Sequence, residues 1–185
     1  MNLMLEEINI VQQQALLLHS ADEVEAALDS MAAAITAKLS NSNPLVLCVI
    51  NGGIIATGKL LPRLDFPLNL DSVHASRYRN ATSGSDIHWL FKPTTPLSGR
   101  TVLVVDDILD EGHTLEAIVA HCREEGAAEV YSAVLVDKQH DRKARPNLKP
   151  DFYGLDIPDR FLFGCGMDYK GYWRNAPGIY ALKGH

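Results

Sequence analysis

Three short runs of the chain are almost wholly apolar: PLVLCVI at 44–50, TVLVV at 101–105 and the centre of EVYSAVLVD at 129–137. Runs this short and this apolar suit strands buried on both faces of a parallel sheet. The stretches around them change period. In SADEVEAALDSMAAAITAKLS, Val24, Leu28, Met31 and Ile35 recur on one helical face, and Ser20 followed by Glu23 forms a capping box, so a helix is predicted over 21–39. IIATGKLLPRL, after the turn NGG, predicts a second helix, and residues 114–125 a third that ends near Gly126.

NLDSVHASRY (69–78) alternates weakly and suggests a strand, the polar RNATSGS after it a mobile loop, and DIHWLFK (86–92) a returning strand. Beyond Pro150 the segments DFYGLDI, FLFGCGM and GIYAL read as short strands and turns, a smaller appendage on the main sheet. Repeated alternation of strand and helix predicts an α/β fold with a mostly parallel central sheet flanked by helices. No repeat and no linker divides it, so one domain is expected over 1–185, with a core at about 40–140. Ligand sites in such sheets lie beyond the carboxyl ends of the strands, where both NGG and DDILDEGHT emerge.

Composition narrows the class. With 46% hydrophobic residues the 185-residue chain can bury a sizeable core, and a net charge of −6 argues against a general nucleic-acid or membrane-surface binder. The three cysteines are widely spaced and never form a C-x-x-C pair, which suits a reducing cytoplasm and gives no zinc motif. The N-terminus lacks the basic region and apolar run of a signal peptide, and no apolar run approaches the length of a membrane span.

The chemistry concentrates in VLVVDDILDEGHT, residues 102–114. A strand, a glycine loop and a helix start bind anions through backbone N–H groups and the positive helix end. Gly112 can adopt a positive φ, and Thr114 offers a hydroxyl. Neither a Walker A loop nor G-x-G-x-x-G is present. The bland reading is a helix entry with acids in its first turn. Against it stand Asp106 and Asp107, adjacent carboxylates at the end of a buried strand, which repel each other and resist desolvation. They call for a ligand bearing hydroxyls or a divalent metal.

VLVVDDILDEGHT resembles the signature of the type I phosphoribosyltransferases, which exchange the pyrophosphate of 5-phosphoribosyl-1-pyrophosphate (PRPP) for a nitrogenous base. LVDK at 135–138 and PDFYGLDIPDRFLFGCGMDYKGYWRN at 150–175 resemble the C-terminal part of the hypoxanthine-guanine branch. The likeness runs from about residue 44 to the end.

The resemblance implies the site. The backbone of Asp110, Glu111, Gly112, His113 and Thr114, with the Thr114 hydroxyl, would cradle the 5′-phosphate, leaving the Glu111 side chain pointing away. Asp106 and Asp107 would face the ribose hydroxyls and a Mg²⁺ ion. Asp110 would act as general acid/base beside purine N7. Lys138 would select a 6-oxopurine, Phe161 would stack on it, and Leu162 would meet its far edge. Asp168 would hold a second Mg²⁺ next to the purine, and Arg174 would contact pyrophosphate. Gly52 and Gly53 would let backbone N–H groups approach pyrophosphate, and Arg77–Tyr78 would begin a flexible lid. A homodimer or homotetramer is implied, with residues 150–185 and the N-terminal segment forming a hood over the base.

The sequence departs from the commoner pattern at Asn51, where Lys is frequent, at Arg77, where Ser is usual, and at His113, where Lys or Thr is common. Xanthine preference, or a PRPP-binding nucleic-acid regulator of the same fold, are the alternatives. The basic stretch KQHDRKAR (138–145) bears on the second, although Asp141 and the preceding Asp137 dilute it.

Overall fold

A computed structural model describes residues 3–77 and 87–184. In chain order the elements are α1 (Leu3–Gln14), β1 (Leu16–His19), α2 (Ala21–Leu39), β2 (Leu45–Val49), α3 (Gly53–Leu60), β3 (Asn69–Arg77), β4 (Ile87–Phe91), β5 (Thr101–Leu109), α4 (His113–Glu124), β6 (Glu129–Gln139), β7 (Phe152–Pro158), β8 (Leu162–Phe163) and β9 (Ile179–Ala181). The central sheet has the order β4-β3-β2-β5-β6-β7, parallel throughout except for the antiparallel pairing of β4 with β3.

The apolar runs are continuous because each strand faces two cores. Leu103 and Val105 pack with the α2–α3 side, whereas Val102 and Val104 pack with Leu115, Ile118 and Cys122 of α4. Helix α2 keeps its expected bounds, and its capping box is formed: the Glu23 backbone N–H donates to Ser20 Oγ (3.3 Å) while the Ser20 backbone N–H donates to Glu23 Oε2 (2.7 Å).

Other boundaries moved. Helix α3 begins at Gly53 and tightens into a 3₁₀ turn at Leu61–Arg63, where Pro62 is accommodated. Strand β5 does not stop at Val105 but runs to Leu109, because β2 and β6 flank it and β6 pairs it through Leu109↔Asp137. Asp106 and Asp107 therefore belong to the strand itself. Likewise β6 extends to Gln139, so Lys138 is a strand residue. The returning strand is present as β4, but the loop expected between it and β3 lies outside the described residues.

A second sheet, β1-β9-β8, brings the two ends of the chain together. Leu16 and Leu17 of β1 pair with Ala181 and Tyr180. Helix α1 reinforces that join: Trp173 Nε1 donates to the Ile8 carbonyl (2.9 Å), and Lys170 pairs with Glu7 (2.6 Å). Neither α1 nor β1 was anticipated, since a four-residue strand whose partner lies at the other end of the chain leaves no local signal.

Candidate active site

A cavity of about 1000 Å³ opens at the carboxyl edge of the central sheet. Its floor is the end of β5. Asp107 is only 7% exposed, and its backbone N–H donates to Asp106 Oδ1 (2.9 Å). Burial, and then the charge of Asp107, push the Asp106 carboxyl well above the usual carboxylate range; Arg174 pulls the other way. Burial also raises Asp107. Both carboxylates border the cavity. Two desolvated carboxylates side by side form a hard oxygen donor set that favours a cation.

The first βα turn closes against this pair. A Cβ on Gly52 would overlap the Asp107 carboxylate, and one on Gly53 would lie 2.5 Å from the Val105 carbonyl oxygen. Gly52 and Asn51 border the cavity. Gly53, expected to do the same, is instead held behind them by its contact with the β5 backbone. The C-terminal segment seals the other side, for a Cβ on Gly166 (φ +112°) would strike the Gly52 carbonyl. That use of Gly166 was not foreseen.

Helix α4 starts with Gly112 in the left-handed region (φ 91°), and His113 and Thr114 of its first turn, whose backbone N–H groups have no carbonyl four residues back within the helix, border the cavity. The loop is strapped from outside. Ala144 N–H donates to the Glu111 carbonyl (2.7 Å), and Lys143 Nζ reaches both the Leu109 carbonyl and Asp137 Oδ1 (each 2.8 Å). Glu111 borders the cavity, with Oε2 3.7 Å from His113 Nε2.

At the base end, Asp110 is held by two groups: Lys138 Nζ lies 3.1 Å from Oδ2 and His140 Nε2 2.7 Å from Oδ1. Lys138, 8% exposed, is also 3.2 Å from Asp159 Oδ1. Arg142 grips Asp159 through two bonds (2.6 and 3.1 Å) and, with Lys138, holds its carboxyl below the usual range. Phe161 is 46% exposed at the cavity wall and meets Tyr169 edge-on, with centroids 5.9 Å apart; Leu162 is buried beside it in β8. Asp168 accepts from Gly171 N–H (2.6 Å) and pairs with Arg174 (2.5 Å), which also donates to the Gly166 carbonyl (2.5 Å).

Every expected site residue among Asp106, Asp107, Asp110–Thr114, Lys138, Phe161, Leu162, Asp168 and Arg174 thus borders one cavity. Of the expected lid, Arg77 closes β3 through its backbone; its side chain and all of Tyr78 lie outside the described residues. His140, Asp159 and Lys143 were missed. The signal for His140 and Lys143 lay in KQHDRKAR, which reads as a basic run until the structure shows Lys143 nearly buried against Asp137, with the more exposed Arg142 and Arg145 paired to Asp159 and Glu116.

A family model described as the phosphoribosyl transferase domain matches residues 17–170. The hypoxanthine-guanine phosphoribosyltransferase of Bacillus subtilis (strain 168) is 32% identical over 165 residues, covering 89% of this chain and 91% of that one. The hypoxanthine-guanine-xanthine phosphoribosyltransferase of Tritrichomonas foetus is 30% identical over 166 residues, covering 90% of each. Among solved structures, a hypoxanthine phosphoribosyltransferase from Staphylococcus aureus superposes with a TM-score of 0.87 at 24% identity, over 94% of this chain and 95% of that one. A hypoxanthine-guanine-xanthine phosphoribosyltransferase superposes with a TM-score of 0.81 at 28% identity, over 91% and 96%.

Proposed function

Because this chain belongs to the phosphoribosyl transferase family and has its type I fold, we propose that it transfers the 5-phosphoribosyl group of PRPP to hypoxanthine or guanine in purine salvage. The products are IMP or GMP and pyrophosphate. One observation carries the reading: a helix start suited to phosphate, a buried carboxylate pair and the Lys138–Asp110 pair converge on a single cavity.

In this reading the N–H groups from Glu111 to Thr114 bind the 5′-phosphate, and the carboxylates of Asp106 and Asp107 address the ribose hydroxyls. As the bond from C1′ to pyrophosphate breaks, positive charge develops on the ribose ring and the buried carboxylates stabilise it. Purine N9 bonds to C1′, and the proton released from N7 passes to Asp110. Lys138 donates to the purine 6-oxo group, exchanging its contact with Asp110 or Asp159 for one with substrate. Phe161 stacks on the ring, and Leu162 lines its far edge.

Among the described residues no cluster of three or more His, Cys, Asp or Glu side chains is gathered for a metal. That fits Mg²⁺, which is commonly held by one or two carboxylates together with substrate phosphates. Asp106 and Asp107 would hold one ion and Asp168 a second; when bound, Mg²⁺ neutralises the leaving pyrophosphate. Arg174, already against Asp168, supplies a further positive charge there.

The pairing of Arg142, Lys143 and Arg145 with Asp159, Asp137 and Glu116 supports the enzyme over a nucleic-acid-binding regulator, since each of these cations already faces a carboxylate that offsets its charge. No helix among the described residues is long and apolar enough to cross a membrane. The three cysteines are free and buried, in keeping with a reducing cytoplasm. A homo-oligomer belongs to the same reading.

Nucleotide synthesis from PRPP and Mg²⁺, measured with hypoxanthine, guanine, xanthine and adenine, tests the proposal. The 6-oxopurines should turn over and adenine should not. Adenine turnover as fast as that of hypoxanthine would remove Lys138 from its selective role.

A further inference from the structure

His140 follows directly on β6, as Asp110 follows directly on β5, and the register Leu109↔Asp137 sets the two ends side by side. The imidazole is nearly enclosed: its side chain is 4% exposed, against 47% for that of Asp110. It does not border the cavity, so it meets Asp110 from behind. Its orientation is set by a second bond, in which the Arg142 backbone N–H donates to His140 Nδ1 (3.0 Å). A ring nitrogen that accepts from an amide carries no proton. The neutral ring therefore has its hydrogen on Nε2, directed at Asp110 Oδ1 2.7 Å away.

We infer that His140 is a positioning residue for the phosphoribosyl transfer: as a neutral Nε2–H donor, it fixes the Asp110 carboxylate in the orientation that receives the purine proton. The inference rests on the reading of Asp110 given above. Lys138 holds the other oxygen in this structure but is itself claimed by substrate, and it also faces Asp159. When Lys138 turns to the 6-oxo group, His140 is the partner that stays. A carboxylate has about four lone-pair sites, so one bond from His140 leaves Asp110 able to accept from N7. His140 needs no second proton for this, because Arg142 N–H already occupies its Nδ1. The imidazole is a fixed donor rather than a relay.

The test compares His140→Leu, which removes the donor, with His140→Gln, whose Nε2 can reach the same oxygen. Removing His140 should lower kcat about 10–100-fold, the worth of a hydrogen bond to a charged group, with KM for PRPP within about twofold. His140→Gln should recover most of the loss. In an Asp110→Ala background, His140→Leu should have no further effect on kcat, because the group it orients is gone. Thermal melts of each variant identify any that do not fold, and His140→Met, also unable to donate, repeats the comparison with Gln if Leu fails.

An unchanged kcat for the folded Leu or Met variant would overturn the inference. So would a loss that persists in full without Asp110, or a Gln variant as impaired as Leu. An inactive wild-type protein would instead count against phosphoribosyl transfer itself, so the two failures are distinguishable.

Discussion

The two βα turns at the carboxyl edge of the sheet perform the same topological step and are built by opposite means. The turn from β2 to α3 has no room: Gly53 touches the β5 backbone, Gly52 the Asp107 carboxylate, and Gly166 leans on the Gly52 carbonyl. Its usable surface is main chain. The turn from β5 to α4 has the same three-residue length but presents side chains, and its glycine serves conformation, with Gly112 at φ 91°. Where a Cβ on Gly53 would meet fixed backbone, one on Gly112 would meet the ends of the Leu148 and Leu109 side chains. Thus the first turn is defined by exclusion and the second by display. A reaction between a donor with an anionic leaving group and a separate base, as proposed above, can use one of each.

Substitutions can sharpen that contrast. The largest effect should come from the displayed side. Asp110→Ala should lower kcat by ~10²–10⁴ while the protein remains folded, as expected for loss of a general acid/base. A steady-state assay with a thermal melt checks both halves, and an unchanged kcat would take Asp110 out of the chemistry. Next comes the excluding turn. Gly53→Ala should destabilise by about 2–3 kcal/mol, the upper range for overpacking against backbone that cannot move aside. It should also raise KM for PRPP, read together with denaturant unfolding. The smallest effect should be at Gly112. Ala there should destabilise by about 1–2 kcal/mol through left-handed strain, since the two leucine ends can shift. Asn, which tolerates that region better, should recover part of the loss. If Ala at positions 53 and 112 were equally harmful, or if Asn at 112 were no better than Ala, the distinction between the two glycines would fail.

Much of this was legible in the sequence because the relevant signals are local. Ser20 and Glu23 announce α2, continuous apolar runs announce β2, β5 and β6, and the acidic stretch before Gly112 announces the displayed turn. What was not legible depends on register between distant segments. Asp106 and Asp107 read as the point where the strand ends, because a carboxylate pair inside a strand is locally unfavourable; the strand continues since β6 pairs it beyond Val105. His140 and Lys143 read as part of a solvated basic run, because nothing near them in sequence shows that Asp110 and Asp137 lie opposite. Gly166 could not be matched to Gly52 without the fold. The second sheet was hidden for the same reason, as its strands come from both ends of the chain.

The strap across the phosphate loop binds two stretches of chain that are remote in sequence into one unit of local opening. Asp137 is 1% exposed and pairs with Lys143, which also holds the Leu109 carbonyl, while Ala144 N–H holds that of Glu111. Freeing the loop means releasing a buried carboxylate from its counter-ion, an opening that is expensive. Amide hydrogens of the loop and of residues 143–148 should accordingly behave as one cooperative unit and exchange at a common, slow rate, which native-state hydrogen exchange checks. Under the proposed function, such an opening cost would keep the phosphate loop assembled between turnovers rather than rebuilt at each one.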